Sequence, residues 1–297
     1  MIAPLELTGL TKVFDTPAGP FIAVKDVNAS VAAGEFVAIL GHSGCGKSTV
    51  LSMVAGLVDA TYGGVIIDGK EVTEPGAERA MVFQSPCLLP WLNATQNVEL
   101  AHKQAQRSTR APRPSTPLRA SPSADDYLTM VGVADAGDQL PAQLSLGTQQ
   151  CVSLARALSL EPRFLLLDEP FSMLDSLTRF ELQDTLLRVW ESASAKATAE
   201  TGRGTPSGES AMTVVMVTHD VDEALYLADR LILMTDGPEA TVGEVLQVPF
   251  ARPRVRAEVL AHPEYHACRR RVIDFLDHHA HQSRPSALDS VLHRRAG

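Results

Sequence analysis

Apolar positions along this chain fall into short runs whose period changes from segment to segment. Leu5 to Phe14 alternates apolar and polar residues, Asp15 to Pro20 supplies turn formers, and Phe21 to Ser30 alternates again, which predicts an antiparallel hairpin region. Glu35 to Leu40, Phe164 to Leu167 and Thr213 to Thr218 are continuous apolar runs, the pattern of strands buried on both faces. Gly63 to Gly69 and Ala80 to Phe83 predict two further strands. Helical spacing covers Thr49 to Ala55, resumes from Asp125, runs from the Leu144–Gln150 stretch through Val152, Ala155 and Leu158, and recurs at Phe180 to Trp190 and Val221 to Asp229. Strands alternating with helices in this order belong to an α/β protein.

Two stretches break the pattern. Residues 103–123 carry Lys103, Arg107, Arg110, Arg113 and Arg119 with four prolines and no acid, and they predict a mobile solvated insert, with attraction to anionic lipid headgroups as the alternative. Ser192 to Ser210 is a Ser/Ala/Gly/Thr/Pro-rich stretch expected to form an extended loop. Past residue 250 the chain is rich in Arg and His; the run His278-His279-Ala280-His281 reads as part of a solvated helical tail, metal binding being the alternative.

Composition narrows the classes. A net charge of −9 argues against a nucleic-acid surface as the main business, and 45% apolar residues suffice for a substantial core. Cys45, Cys87, Cys151 and Cys268 show no C-x-x-C spacing, which argues against disulfides and a zinc knuckle. No apolar run approaches the ~18 residues of a membrane span, and Met1-Ile2-Ala3-Pro4 lacks the basic start of a signal peptide. The expectation is a cytosolic protein that meets a membrane through a partner.

The chemistry-bearing residues stand at the ends of the predicted strands. Gly41-His42-Ser43-Gly44-Cys45-Gly46-Lys47-Ser48-Thr49 fits G-x-x-x-x-G-K-[ST] between a strand and a helix. Its glycines let successive N–H groups converge on phosphates, Lys47 can neutralise the β- and γ-phosphates, and Ser48 can offer its hydroxyl to Mg2+. Asp168 and Glu169 end an apolar strand, suiting a metal shell and a base that orients water. Gln84 and His219 also end strands, so these groups can share one crevice at the strand carboxyl ends. Phe14 is either a ring that stacks on a base or a core residue, and Cys87-Leu88-Leu89-Pro90-Trp91-Leu92 is either a docking surface or a core loop.

Together these segments resemble the ATP-binding subunits of ABC transporters over residues 5 to about 256. Residues 41–49 match the Walker A motif, Gln84 the Q-loop, Leu144 to Gln150 the LSGGQ signature, Phe164 to Glu169 the Walker B strand, Ser172 to Asp175 the D-loop and His219 the switch histidine. The resemblance implies a P-loop NTPase (RecA-like) parallel-sheet core with an N-terminal antiparallel β subdomain and an inserted α-helical signature subdomain. It places the ATPase domain at 5–250, the helical subdomain at about 88–160 and a C-terminal tail at 251–297, while the flexible inserts at 103–123 and 192–210 are unusual for the family but fall where extra loop is tolerated. ATP and Mg2+ are the implied cofactors. Gly41, His42, Ser43, Gly44, Cys45, Gly46, Lys47, Ser48 and Thr49 would hold the phosphates, Phe14 would stack on adenine, and Ser48, Gln84 and Asp168 would serve the metal. Glu169, His219, Gln84 and Lys47 would be catalytic, while Ser145 and Gly147 would close over the nucleotide of a second ATPase subunit in a head-to-tail dimer, either homomeric or heteromeric.

Leu89 to Leu92, Met234 to Pro238 and Val248 to Arg254 look most like the nitrate, nitrite and cyanate importers, with sulfonate and taurine importers as neighbours. The implied partners are transmembrane permease subunits and, indirectly, a periplasmic or lipid-anchored solute-binding protein, with no nucleic acid, at the cytoplasmic face of the inner membrane. Alternatives are a soluble non-transport ABC ATPase and a low-turnover regulatory subunit. The latter draws on Leu146, which replaces the first glycine of LSGGQ and restricts φ there; Cys151 stands where the family usually has arginine.

Overall fold

The computed structural model describes residues 4–108, 122–201 and 211–280. The alternating N-terminal segments form β1 (Leu5–Thr16) and β2 (Gly19–Val31), which pair antiparallel with Phe14 opposite Phe21. β1 also pairs with β4 (Tyr62–Ile67), and β4 with the short β5 (Lys70–Glu71), giving a four-stranded antiparallel sheet in the order β2-β1-β4-β5.

The continuous apolar runs build a second sheet. β3 (Phe36–Leu40), β6 (Arg79–Val82), β7 (Phe164–Asp168), β8 (Thr213–Thr218), β9 (Arg230–Met234) and β10 (Val242–Gln247) lie in the order β10-β9-β3-β8-β7-β6. All neighbours are parallel except β9 and β10. Because successive side chains point to opposite faces, each central strand feeds two cores. Val37, Ile39, Leu166, Val215 and Val217 pack toward the N-terminal sheet with Val50, Leu51 and Val54 of α1 (Lys47–Ala55), whereas Phe36, Ala38, Leu165, Leu167 and Met216 pack on the other face.

That other face is covered by helices. α2 (Ala94–Ser108), α3 (Ala124–Met130) and α4 (Leu146–Leu158), with two short 3-10 turns at 134–136 and 141–143, form the helical unit between β6 and β7. α5 (Ser176–Thr201) lies beside them, and Trp190 pins it by an edge-on contact with Phe36 and an Nε1–H donated to Met212 O at 2.9 Å.

Three expectations need correction. The presumed loop 192–210 is helical up to Thr201, because its first half is alanine-rich and continues α5 with strong helix formers; residues 202–210 lie outside the described residues. The insert 103–123 begins inside α2, which runs to Ser108, and ends at Ser123, whose hydroxyl caps α3; residues 109–121 lie outside the described ones. α6 (Val221–Leu227) stops before Asp229, whose N–H donates to Phe36 O and whose carboxylate accepts from Phe36 N–H, drawing the chain into the sheet.

Nor is the segment after residue 250 a free tail as far as it is described. Arg254 is buried and donates to the carbonyls of Leu225, Tyr226 and Ala228 at the end of α6. α7 (Arg256–Ala261) and α8 (Tyr265–Ala280) follow, with Val259, Tyr265 and Val272 buried in the helical-side core. The apolar stripe at helical spacing is what docks α8. His281 lies outside the described residues, among which no group of three or more His, Cys, Asp or Glu side chains is placed to hold a metal ion.

Candidate active site

β3 ends at Leu40 and the chain turns through residues 41–46 into α1. Gly46 caps the helix with φ 99°, and a Cβ there would lie 2.4 Å from Val24 Cγ1, so only glycine fits both backbone and space. Lys47 opens the helix and is 4% exposed; its Nζ donates to Gly41 O and His42 O, each at 2.8 Å, which bends the ammonium back over the loop. Ser43, Gly44 and Ser48 are exposed at the mouth and Thr49 is half-buried. Cys45 and His42 turn their side chains away. Cys45 is in the core between the sheets, where burial pushes its thiol up, and the His42 ring reaches Leu276 O through Nε2 at 2.9 Å. These two residues can serve a phosphate only through their backbones.

Beside the loop, Ser48 Oγ donates to Asp168 Oδ1 at 2.7 Å. Burial, and after it the charge of Glu169, raise the Asp168 carboxyl above the usual range, while the Ser48 bond and Lys47 oppose the shift. Glu169 leaves the strand with φ 44° and its N–H donates to Val217 O at 2.9 Å. Its Oε2 accepts from Gln84 Nε2 at 3.3 Å and lies 3.2 Å from His219 Nδ1. The ends of β6, β7 and β8 therefore bring Gln84, Glu169 and His219 to one oxygen atom, next to the Ser48–Asp168 pair.

Ser145 and Gly147 lie elsewhere. Ser145 caps α4, its Oγ accepting from Thr148 N–H at 3.1 Å, and it lines with Leu146, Gly147, Met173, Asp175 and Thr178 a cleft of about 1090 Å³. No hydrogen bond among the described residues links this cleft to the phosphate loop. Leu146 requires a correction: it opens α4 with helical backbone and is absent from the positive-φ positions, so the leucine strains nothing there. Its side chain is 52% exposed. Cys151 is buried inside α4, which pushes its thiol up to about 11. Phe14, 39% exposed with Lys12 Nζ 5.2 Å from its ring centre, is available for stacking and is no core residue.

The sequence reading missed a buried group behind His219. Asp220 caps α6, accepting from Asp222 and Glu223 N–H at 3.0 and 3.1 Å, and lies 3.7 Å from Arg179. Glu223, buried, accepts from Gln183 Nε2 at 2.9 Å, and burial raises its carboxyl to about 7. The spacing Asp220-x-x-Glu223 is a helix-start signal that marks the turn in advance, but burial of the glutamate depends on α5.

Comparison with known proteins agrees with this geometry. The ABC transporter family model matches residues 24–172. The chain is 47% identical over 265 residues to the nitrate import ATP-binding protein NrtD of Synechococcus elongatus, covering 89% of this chain and 88% of that protein. It is 44% identical over 272 residues to the bicarbonate transport ATP-binding protein CmpD of Synechocystis sp., covering 92% and 88%. Among solved structures, a dimeric ATP-binding cassette in a post-hydrolysis state bound to ADP and Pi superposes with TM-score 0.65 at 31% identity, covering 83% of this chain and 100% of that one.

Proposed function

The chain belongs to the ABC transporter family of ATP-binding, ATP-hydrolysing proteins, and from that premise we propose that it energises import of nitrate or a related small anion. In this reading it sits at the cytoplasmic face of the inner membrane, held by transmembrane permease subunits and served by an extracytoplasmic solute-binding protein. No helix among the described residues is long and apolar enough to cross a membrane.

The observation that carries the catalytic reading is the shared Glu169 oxygen beside the Ser48–Asp168 pair. Backbone N–H groups of residues 41–49 cradle the phosphates, and Lys47 exchanges its two carbonyl partners for phosphate oxygens. A hydroxyl and a carboxylate in contact form the hard oxygen pair that would hold Mg2+, with Gln84 as a further proposed donor; the ion would supply neutralisation of phosphate charge. Glu169 accepts the proton of the attacking water and His219 holds that carboxylate in place. Phe14 stacks on adenine, and Ser145 and Gly147 of a second ATPase subunit, the same chain or a different one, complete the cradle head to tail; that the solved cassette is dimeric supports a second subunit.

The anion rests on the two importer relatives, and CmpD supports bicarbonate as a second reading. Both are small planar oxyanions. Proteoliposomes holding the chain with its permease, offered nitrate-loaded or bicarbonate-loaded binding protein, decide between them by which one stimulates ATP hydrolysis. Lys47→Ala in the same vesicles is expected to abolish turnover; an unchanged rate removes the phosphate-loop assignment.

A further inference from the structure

Helix α8 is tied near its start to α6 and toward its other end to the phosphate loop. Near its start Tyr265 Oη donates to Asp222 Oδ1 at 2.7 Å, and Arg269 Nε donates to the same oxygen at 2.6 Å. Asp222 stands in the first turn of α6, three residues after His219. Toward the other end, about 16 Å further along a helix that rises about 1.5 Å per residue, His42 Nε2 donates to Leu276 O at 2.9 Å.

Between these anchors α8 is seated on β10. A Cβ on Gly243 would come within 2.5 Å of the Phe275 ring, so the glycine admits that ring, and Arg271 Nε donates to Glu244 Oε1 at 2.5 Å. The helix is a stiff rod fixed at three places.

What His42 does with its other atoms matters for the nucleotide. Its carbonyl accepts from Lys47 Nζ at 2.8 Å and from Cys45 N–H at 3.3 Å. The ring held by α8 and the carbonyl that carries the phosphate-binding ammonium thus belong to one residue.

We propose that His42 is a positioning residue of the ATPase site, whose imidazole, held by Leu276 of α8, sets the loop carbonyl that seats Lys47 and couples the phosphate loop to the switch helix α6. The inference rests on the phosphate-loop reading above. Its consequence is that the C-terminal helix tunes nucleotide affinity without touching nucleotide.

The test uses the purified full chain, with a fluorescent ATP analogue for affinity and steady-state hydrolysis for KM and kcat. His42→Leu removes the donor at similar bulk and is expected to raise the dissociation constant and KM about fivefold to tenfold, the scale of one hydrogen bond, with kcat within about twofold. His42→Gln keeps an N–H of similar reach and restores KM. Arg269→Ala, which leaves the loop sequence intact, raises KM in the same direction, and its effect combines with that of His42→Leu less than additively. Equal loss in the Leu and Gln variants, a fall confined to kcat, or full additivity overturns the proposal. If thermal melts show that His42→Leu does not fold, Arg269→Ala decides, an unchanged KM overturning the proposal. Lys47→Ala separates the two levels: retained affinity there defeats the phosphate-loop reading itself, whereas lost affinity there with no effect at His42 and Arg269 defeats this inference alone.

Discussion

Glu169 combines two features that ordinary surface glutamates lack. Its backbone sits at φ 44°, a conformation that costs a non-glycine residue on the order of 1 kcal/mol, and its carboxylate is held between Gln84 and His219. The strain aims the side chain across the strand ends. Glu169→Gln keeps the shape and loses the base, so ATP binding is expected to persist while hydrolysis falls by about 10²-fold or more; single-turnover assays and gel filtration in ATP should find a slow, trapped dimer. Leu146 illustrates the opposite case, in which an unusual residue has an ordinary backbone. Any obstruction it offers comes from its exposed side chain. Leu146→Ala is therefore expected to raise turnover of the assembled complex at unchanged melting temperature, and Leu146→Gly, at the first helical position, to cost less than the ~1 kcal/mol of a glycine in a helix interior, measurable by denaturant titration.

At the scale of elements, the loop between β6 and α2 displays an aromatic ring on a braced backbone. Asn97, buried in the first turns of α2, accepts from Leu89 N–H at 2.8 Å and donates to Leu89 O and Leu92 O at 3.2 and 3.0 Å. Arg156 of α4 donates to Cys87 O at 2.9 Å. The loop is held from behind while Trp91 stands 71% exposed, which excludes the core-loop reading; the docking role that we propose for it is open to test. Trp91→Asp is expected to change folding stability by no more than about 0.5 kcal/mol, as for other surface substitutions, and to abolish co-purification with the permease. Retained co-purification would place the contact elsewhere.

At the scale of the whole molecule, the helical layer buries a titrating group beneath the switch strand. Glu223 is 6% exposed, and burial is the main reason its carboxyl titrates near about 7 instead of 4.5; Asp220 adds to the rise, while Thr218, Gln183 and Arg179 oppose it. In the fold the acid binds its proton more tightly than in the unfolded chain. Its contribution is fully present below about 4.5 and is lost as pH rises through about 7. Glu223→Gln, neutral at every pH, is expected to flatten the fall in melting temperature across that window, by an amount equivalent to at most about 3 kcal/mol. Melting curves of both proteins between pH 5 and pH 8.5 give the comparison, and parallel curves would mean that Glu223 stays charged in the fold.

The local pattern carried much of this protein. Period-two alternation marked β1 and β2, continuous apolar runs marked β3, β7 and β8, and the glycine spacing of residues 41–46 marked the phosphate loop, because each depends on neighbours within a few residues. Strand ends also announced Gln84, Asp168, Glu169 and His219, since side chains at the carboxyl edge of a parallel sheet share one crevice. Tertiary packing decided the rest. Which oxygen those groups share, the turn of His42 toward α8 and of Cys45 into the core, and the exposure of Trp91 all depend on elements far apart in the chain. The same holds for the docking of residues 251–280, whose Arg- and His-rich sequence reads as a solvated tail, because the carbonyls that Arg254 takes and the carboxylate that Tyr265 and Arg269 share exist as a surface only once α6 is in place. Short-range periodicity sets what each segment can become, and long-range burial and hydrogen bonding choose which side chains meet.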